Sequence, residues 1–310
     1  KEVTVSQTKI QNTETSVVME MKKNTSIISA VSAAQISKSQ DRDASEVIRR
    51  VPGVSILNNR FIMVRGLSDR YNTVWMNDAG APSVEPDKKS FSFDMVSSNL
   101  IERMLVYKTA SPELPGDFAG GMVKIYTSAM PEKTGINVQY QTGFRQGTTG
   151  QNYYHTAIYK KDWLGMGAAD RELPAPKYIH NPIKDYAQSL PNDWILQQSK
   201  ARPDQRVNVT LNGLVKTDKY KFGSVTGINY ANTFLTTNRT RQFWDSTAQQ
   251  QNFSDLQSSN SVRLTGIQNF AFVYINHKLE LRNFFNQQGN SQTIQRYSNR
   301  VEVPNQKAYA

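Results

Sequence analysis

The 310 residues contain three histidines, His155, His180 and His277, far apart and without carboxylates at ligand spacing. Metal-assisted hydrolysis and general acid–base catalysis need such groups to converge, and no HxxxH pair, nucleophile elbow or phosphate loop is present. The absence of cysteine removes disulfides, thiolate metal sites and thiol nucleophiles. Gly116, Gly120 and Gly121 stand at offsets zero, four and five, which fits neither a P-loop nor a dinucleotide fingerprint. No catalytic residue, metal or cofactor is expected, and the chain is not expected to be an enzyme. Chemistry of another kind is open to Arg65-Gly66, which follows the apolar run Phe61 to Val64. A guanidinium held away from water needs carboxylate partners. Gly66, Gly120 and Gly121 suit places where a tight turn or a close backbone contact excludes a side chain.

Short elements must position these residues. Ser29 to Ser37 reads as a small helix, and Asp43-Ala44-Ser45-Glu46 as a capping box opening a second one, with Ala44, Val47, Ile48 and Val51 on one face. Pro52-Gly53 ends that helix. Extended segments follow at Val54 to Leu57 and Phe61 to Val64, with Asn58-Asn59 placed to turn between them. Asp94 to Asn99 is a short helix candidate leading into an alternating strand, Glu102 to Lys108.

After Thr134 the texture changes to segments of about ten residues with one apolar face. Ile136, Val138, Tyr140, Thr142 and Phe144 oppose Asn137, Gln139, Gln141, Gly143 and Arg145. Val207, Val209, Leu211, Gly213 and Val215 share a face, and Leu279 and Leu281 oppose Lys278, Glu280 and Arg282. Tyr220 to Asn232 and Val262 to Asn276 also read as strands, with Asn276-His277 as a turn; residues 161 to 205 form a long connection. A transmembrane barrel and a soluble antiparallel sheet both produce such alternation.

Composition is compatible with either. Apolar residues make up 38% and mean hydropathy is −0.58, with no run approaching the ~18 apolar residues of a membrane helix. The net charge of +11 is uneven: residues 1–134 carry 17 basic and 15 acidic groups, residues 135–310 carry 20 and 11. The basic excess suits anionic headgroups or anionic cargo; being scattered, it does not suggest nucleic-acid binding.

In order and spacing, Val51-Pro52-Gly53-Val54, Val64-Arg65-Gly66, Val74 to Asp78, Glu102-Arg103 and Gly116-Asp117-Phe118-Ala119-Gly120-Gly121 resemble the plug domain of TonB-dependent outer-membrane receptors across residues 40 to 128. The chain departs from the family at Lys108 to Pro112 and at Leu114 to Asp117, while Asp162 to Gly165 with Arg171 to Pro174 looks like a loop of Bacteroidota-type receptors. The resemblance implies a mixed α/β plug inside a barrel of about 22 antiparallel strands, so the chain is expected to be the N-terminal part of a longer outer-membrane protein of a Gram-negative bacterium. It implies domains at 1–8, 9–134 and 135–310.

The resemblance also assigns roles. Arg65 becomes a plug latch whose glutamate partners lie beyond residue 310; Gly66, Gly116, Gly120 and Gly121 become plug turns. Glu2, Val3, Thr4 and Val5 resemble the Ton box, which a TonB-like energy-transducing protein engages as an added strand. Plug loops would present Asn59, Arg60, Lys88, Lys89 and Phe91 to cargo. Other partners implied are outer-membrane lipid and a surface lipoprotein or further complex subunits. Energised import of a bulky nutrient is the function expected; a structural barrel subunit of a secretion or assembly complex, or a soluble β-rich adhesin, are the alternatives.

Overall fold

The computed structural model describes residues 13–39, 41–83, 90–172, 195–244, 250–275, 277–300 and 303–309. Its first helix, α1 (Glu14–Lys23), has no counterpart in the sequence reading. Thr13 caps it by accepting from the Ser16 amide at 3.3 Å, Glu14 opens it and Lys22 and Lys23 close it, in keeping with the helix dipole. Only Val17 is buried along it, so the apolar periodicity that would announce a helix is missing.

The helix expected over Ser29 to Ser37 is a strand followed by a helix, β1 (Ile28–Ser32) and α2 (Ala33–Ser39). β1 lies along a neighbouring strand as an edge, which overrides local preference. The boundary is a capping box: Ser32 Oγ accepts from the Gln35 amide at 3.3 Å and Gln35 Oε1 accepts from the Ser32 amide at 3.0 Å. α3 (Ala44–Ile48) starts where expected, capped by Asp43. Glu46 reaches one residue further back than a capping box requires, accepting from the Arg42 amide at 2.9 Å.

The hairpin β2 (Val54–Leu57) and β3 (Phe61–Val64) turns through Asn58, Asn59 and Arg60; Asn58 and Asn59 have φ near +55°, and the Arg60 amide closes the turn on Leu57 O at 3.1 Å. Four more strands follow: β4 (Asn72–Met76), β5 (Ala79–Gly80), β6 (Ile101–Tyr107) and β7 (Gly121–Thr127). They form a five-stranded sheet in the order β1-β6-β7-β4-β5, with β4 and β7 parallel. The helix expected from Asp94 to Asn99 is two 3-10 turns, Phe93–Met95 and Ser98–Leu100.

The alternation expected along β6 does not translate into one wet face. Met104 and Val106 join a large core with Val47, Ile48, Val64 and Phe93, while Leu105 and Tyr107 join a second cluster with Leu114 and Met122. A central strand covered on both sides is buried on both sides. Each fully buried Ile, Leu or Met side chain contributes about 1.5–3 kcal/mol relative to exposure.

The remaining strands are β8 (Gly135–Gly143), β9 (Asn152–His155), β10 (Gln197–Lys200), β11 (Asp204–Lys216), β12 (Tyr220–Trp244), β13 (Gln250–Tyr274), β14 (His277–Arg300) and β15 (Val303–Tyr309). Six of them form one sheet in the order β15-β14-β13-β12-β11-β8, and β9 pairs with β10. Ile136, Val138 and Tyr140 on β8 are 62–75% exposed, an apolar face without a protein cover. β12 and β13 run 25 residues and β14 runs 24, well beyond the segments read from apolar alternation, Tyr220 to Asn232 and Val262 to Asn276 among them. Their polar ends are held by side-chain ladders such as Asn260 Nδ2 to Asn232 Oδ1 at 2.7 Å and Ser261 Oγ to Asn290 Oδ1 at 2.8 Å. Backbone pairing does not require apolar side chains.

The chain divides into two compact units. The first takes residues 1–137 with 209–228 and 265–285; the second takes 138–208, 229–264 and 286–310.

Candidate functional site

Within the first unit, Arg65 has φ +54° and Gly66 φ +77°, so the chain turns sharply after β3. The Arg65 amide donates to Gly53 O at 2.9 Å. Its side chain donates from Nε to Gly120 O at 3.1 Å and from Nη2 to Ala119 O at 2.9 Å. The two motifs, 55 residues apart in sequence, are thereby tied to one another. Beneath them Asn72 Nδ2 donates to Ile62 O at 3.0 Å and Ser68 O at 3.1 Å.

The glycine pair sits where side chains have no room. A Cβ on Gly120 would overlap Asn72 Oδ1, and one on Gly121 would lie 2.7 Å from Val64 Cγ1 and 2.9 Å from Tyr107 O. Gly116 differs: a Cβ there would meet nothing within 4 Å. Its expected role as a constrained turn has no steric basis in the fold.

A second constellation joins this sheet to the long strands of the same unit. Asn77, at φ +53° after β4, accepts from the Thr127 amide at 2.9 Å and donates to Thr127 Oγ1 at 3.0 Å. Arg282 on β14 donates from Nη1 to Asn77 Oδ1 at 2.8 Å and to Thr127 O, and from Nη2 to Glu280 Oε2 at 3.0 Å. Glu280 also pairs with Lys278 at 2.6 Å. Asn269 on β13 donates to Thr127 Oγ1 at 2.9 Å and Ser128 O at 2.7 Å, and Thr265 Oγ1 donates to Met95 O at 3.0 Å.

Glycines on β12 let the two layers approach. A Cβ on Gly227 would overlap Leu100, and one on Gly223 would lie 2.7 Å from Met130 Sδ. Leu100, Val225 and Ile267 seal the contact as a small apolar cluster with Phe284 against it. Glu102, next to this contact on β6, has its pKa raised by burial, against the opposing pull of Arg103, Arg282 and Lys278.

The residues expected to meet cargo are placed as follows. Asn59 accepts from Arg49 Nη2 at 2.8 Å, and Arg60 pairs with Asp94 at 3.3 Å while its carbonyl accepts from the Phe93 amide. Asn59 thereby ties the hairpin to the end of α3, and Arg60 ties it to the turn at 93–95. Phe91 corrects its expected exposure: it is 5% exposed and packs edge-on to Phe93 at 5.2 Å, because the loop's return brings an aromatic back over the core. Lys88, Lys89 and Glu2 to Val5 lie outside the described residues.

Sequence reading did not single out Arg282, Asn269 or Asn77. Arg282 and Glu280 appeared only as the polar face opposite Leu279 and Leu281, which a wet lumen explains equally well. Asn269 stands beside Gln268 between Ile267 and Phe270, and the sequence does not distinguish which of the two amides faces a buried partner.

Residues 20–123 match the model of the TonB-dependent Receptor Plug Domain. No curated protein sequence matches the chain. Among solved structures, the siderophore receptor PirA from Pseudomonas aeruginosa is similar at 16% identity and TM-score 0.36, over 88% of this chain and 43% of that one. A ferric enterobactin receptor (PfeA) mutant from the same organism gives 14% identity and TM-score 0.38, over 90% and 47%. The outer membrane transporter YddB from Escherichia coli gives 12% and 0.38, over 87% and 39%. The chain thus spans less than half the length of each.

Proposed function

We propose that this chain, whose residues 20–123 match the TonB-dependent Receptor Plug Domain model, is the gated end of an energised importer of a bulky nutrient. The observation carrying the reading is the seat of the plug on the wall strands, where Arg282 and Asn269 converge on the Asn77–Thr127 node. A plug that is to open must be held by bonds that can be exchanged rather than by a continuous core. Here the seat is mainly directional hydrogen bonds around the small cluster of Leu100, Val225 and Ile267.

In this reading Glu2 to Val5 are the strand offered to a TonB-like protein in the periplasm. Pull on that segment shifts the population from sealed to open plug. Arg65 acts as the latch: two of its nitrogens hold the glycine turn, and Nη1, which makes no bond among the described residues, is available to a carboxylate of a later wall strand. No covalent step is involved. The test is energy-dependent cargo uptake by cells whose receptor lacks residues 1 to 8. Uptake should fall to the level of cells without the energising partner, and undiminished uptake would refute the placement of the Ton box.

A further inference from the structure

Within the second unit an amide ladder tells the two faces of the wall strands apart. Asn208 on β11 donates to Gln139 Oε1 on β8 at 3.2 Å, and Asn229 on β12 donates to Asn208 Oδ1. Gln139, Asn208 and Asn229 therefore share one face of the sheet. Side chains alternate along a strand, so Val138 and Tyr140 lie on the opposite face, together with Tyr230, Asn232 and Phe234. Val138 and Tyr140 are exposed apolar groups of the kind that a barrel turns towards hydrocarbon.

The connection that follows β9 is folded back onto this same face. Tyr230 Oη donates to Trp163 O at 2.8 Å, and Tyr153 packs edge-on to Phe234 at 5.3 Å. Gln287 Nε2 donates to Gly165 O at 2.6 Å. A Cβ on Gly165 would lie 2.8 Å from the Gly289 amide nitrogen, so the two backbones meet where a side chain has no room. Asp162 accepts two bonds from Arg171, at 2.6 and 2.7 Å, which fixes the turn that is laid down there.

Connection and strands line a cavity of about 750 Å³, within the roughly 300–1,000 Å³ of small-molecule sites. Its lining is of two kinds. Tyr153, Phe234 and Val262 are apolar, and Tyr153 and Val262 are buried. Residues 287–291 of β14 supply amide, hydroxyl and backbone groups and no apolar side chain. Two further lining residues on the connection, Ile158 and Trp163, are 68% and 59% exposed. Large apolar groups left in water forgo the gain of burial, whereas a tryptophan at the edge of a bilayer is satisfied on both sides.

We propose that this cavity holds a lipid of the surrounding outer leaflet. One acyl chain lies against Tyr153, Phe234 and Val262, and the polar head rests on the amides of β14. Three observations select a lipid over a dissolved ligand. The cavity stands on the face that carries Val138 and Tyr140, its lining joins an apolar part to a hydrogen-bonding part, and its exposed members are apolar. The bound chain would fill the space between connection and wall and so brace the one against the other. Such a site requires the outer-membrane location of the barrel and does not require import.

The test uses the full receptor in phosphatidylcholine bilayers, with and without phosphatidylcholine brominated on its acyl chains, which quenches tryptophan on contact. The contribution of Trp163 is the difference between the parent and W163F. Brominated lipid should remove most of that contribution. A157F, which narrows the cavity from the connection, should restore it without lowering the melting temperature. S199L, at the position opposite Tyr153 in the β9–β10 pair, narrows the cavity from the other side and decides the matter if A157F does not fold. Trp163 emission untouched by brominated lipid would overturn the proposal by placing the connection in water. Quenching that persists in the folded variants would overturn it too, since the connection would then lie in bulk lipid with no chain bound. Cargo uptake enters neither outcome, so failure of the import reading leaves the lipid site standing.

Discussion

Arg282 and Asn77 lie 205 positions apart in sequence, yet a guanidinium nitrogen of one donates to the amide oxygen of the other at 2.8 Å. The bond fastens a turn of the plug to a wall strand, and the same guanidinium reaches the Thr127 carbonyl. Removing it leaves two half-buried acceptors short of a donor and Glu280 with Lys278 alone. Arg282→Met should destabilise the plug by about 2–3 kcal/mol, the range for losing charge-assisted hydrogen bonds in a partly dry site. The lower melting temperature of detergent-purified receptor and a faster leak of large antibiotics into cells would register it. An unchanged melt would show that the seat is held elsewhere.

Gly121→Ala should be far more damaging than Gly116→Ala. The added methyl at 121 meets Tyr107 O, a backbone atom that cannot swing aside, whereas the methyl at 116 points into open space. Losses of about 3 kcal/mol or more are expected for the first, and less than about 0.5 for the second. Gly120→Ala should fall between them, because Asn72 can rotate only by giving up the carbonyls it holds. Parallel thermal melts of the three variants test the order.

Arg65→Gln removes both bonds to the Ala119 and Gly120 carbonyls, whereas Arg65→Lys can restore one. The glutamine variant should cost about 1–2 kcal/mol and the lysine variant less. Protease cleavage near residues 116–120 in the purified receptor is the sensitive readout, since those carbonyls anchor the glycine turn.

Burial raises the Glu102 pKa above its ordinary 4.5. The folded state therefore holds that proton more tightly than the unfolded chain. The stability associated with the protonated form is complete below about pH 4.5 and is lost as pH rises through the folded value. Glu102→Gln should match the parent in acid and become the more stable of the two towards neutrality. Melting temperatures from pH 4 to 8 decide it; a gap that narrows as pH rises would contradict the assignment.

Much of the plug was legible because its signals are local. Asp43 caps α3, Asn58-Asn59 can adopt positive φ, and the Gly120-Gly121 pair announces close approach. What was misread depends on distant partners. Ser29 to Ser32 became a strand because β6 lies beside it, and Phe91 was buried because a loop folds back over the core. The wall contacts were invisible for a related reason. Arg282 and Asn269 look like ordinary lumen-facing polar residues until the Asn77–Thr127 node, over 140 positions away, is brought against them.

The great length of β12, β13 and β14 has a consequence for the cell surface. At about 3.3 Å per residue each extends roughly 80 Å, whereas about ten residues suffice to cross the hydrocarbon. Exposed apolar side chains occur at Tyr220, Phe222, Phe272, Tyr274, Leu279 and Leu281, and again at Leu235, Phe243, Trp244 and Tyr297. The stretches 229–242, 254–261 and 286–296 are rich in asparagine, glutamine, serine and threonine. A crossing of ordinary length therefore leaves more than half of each strand's residues outside the hydrocarbon, where amide side chains meet water at no desolvation cost.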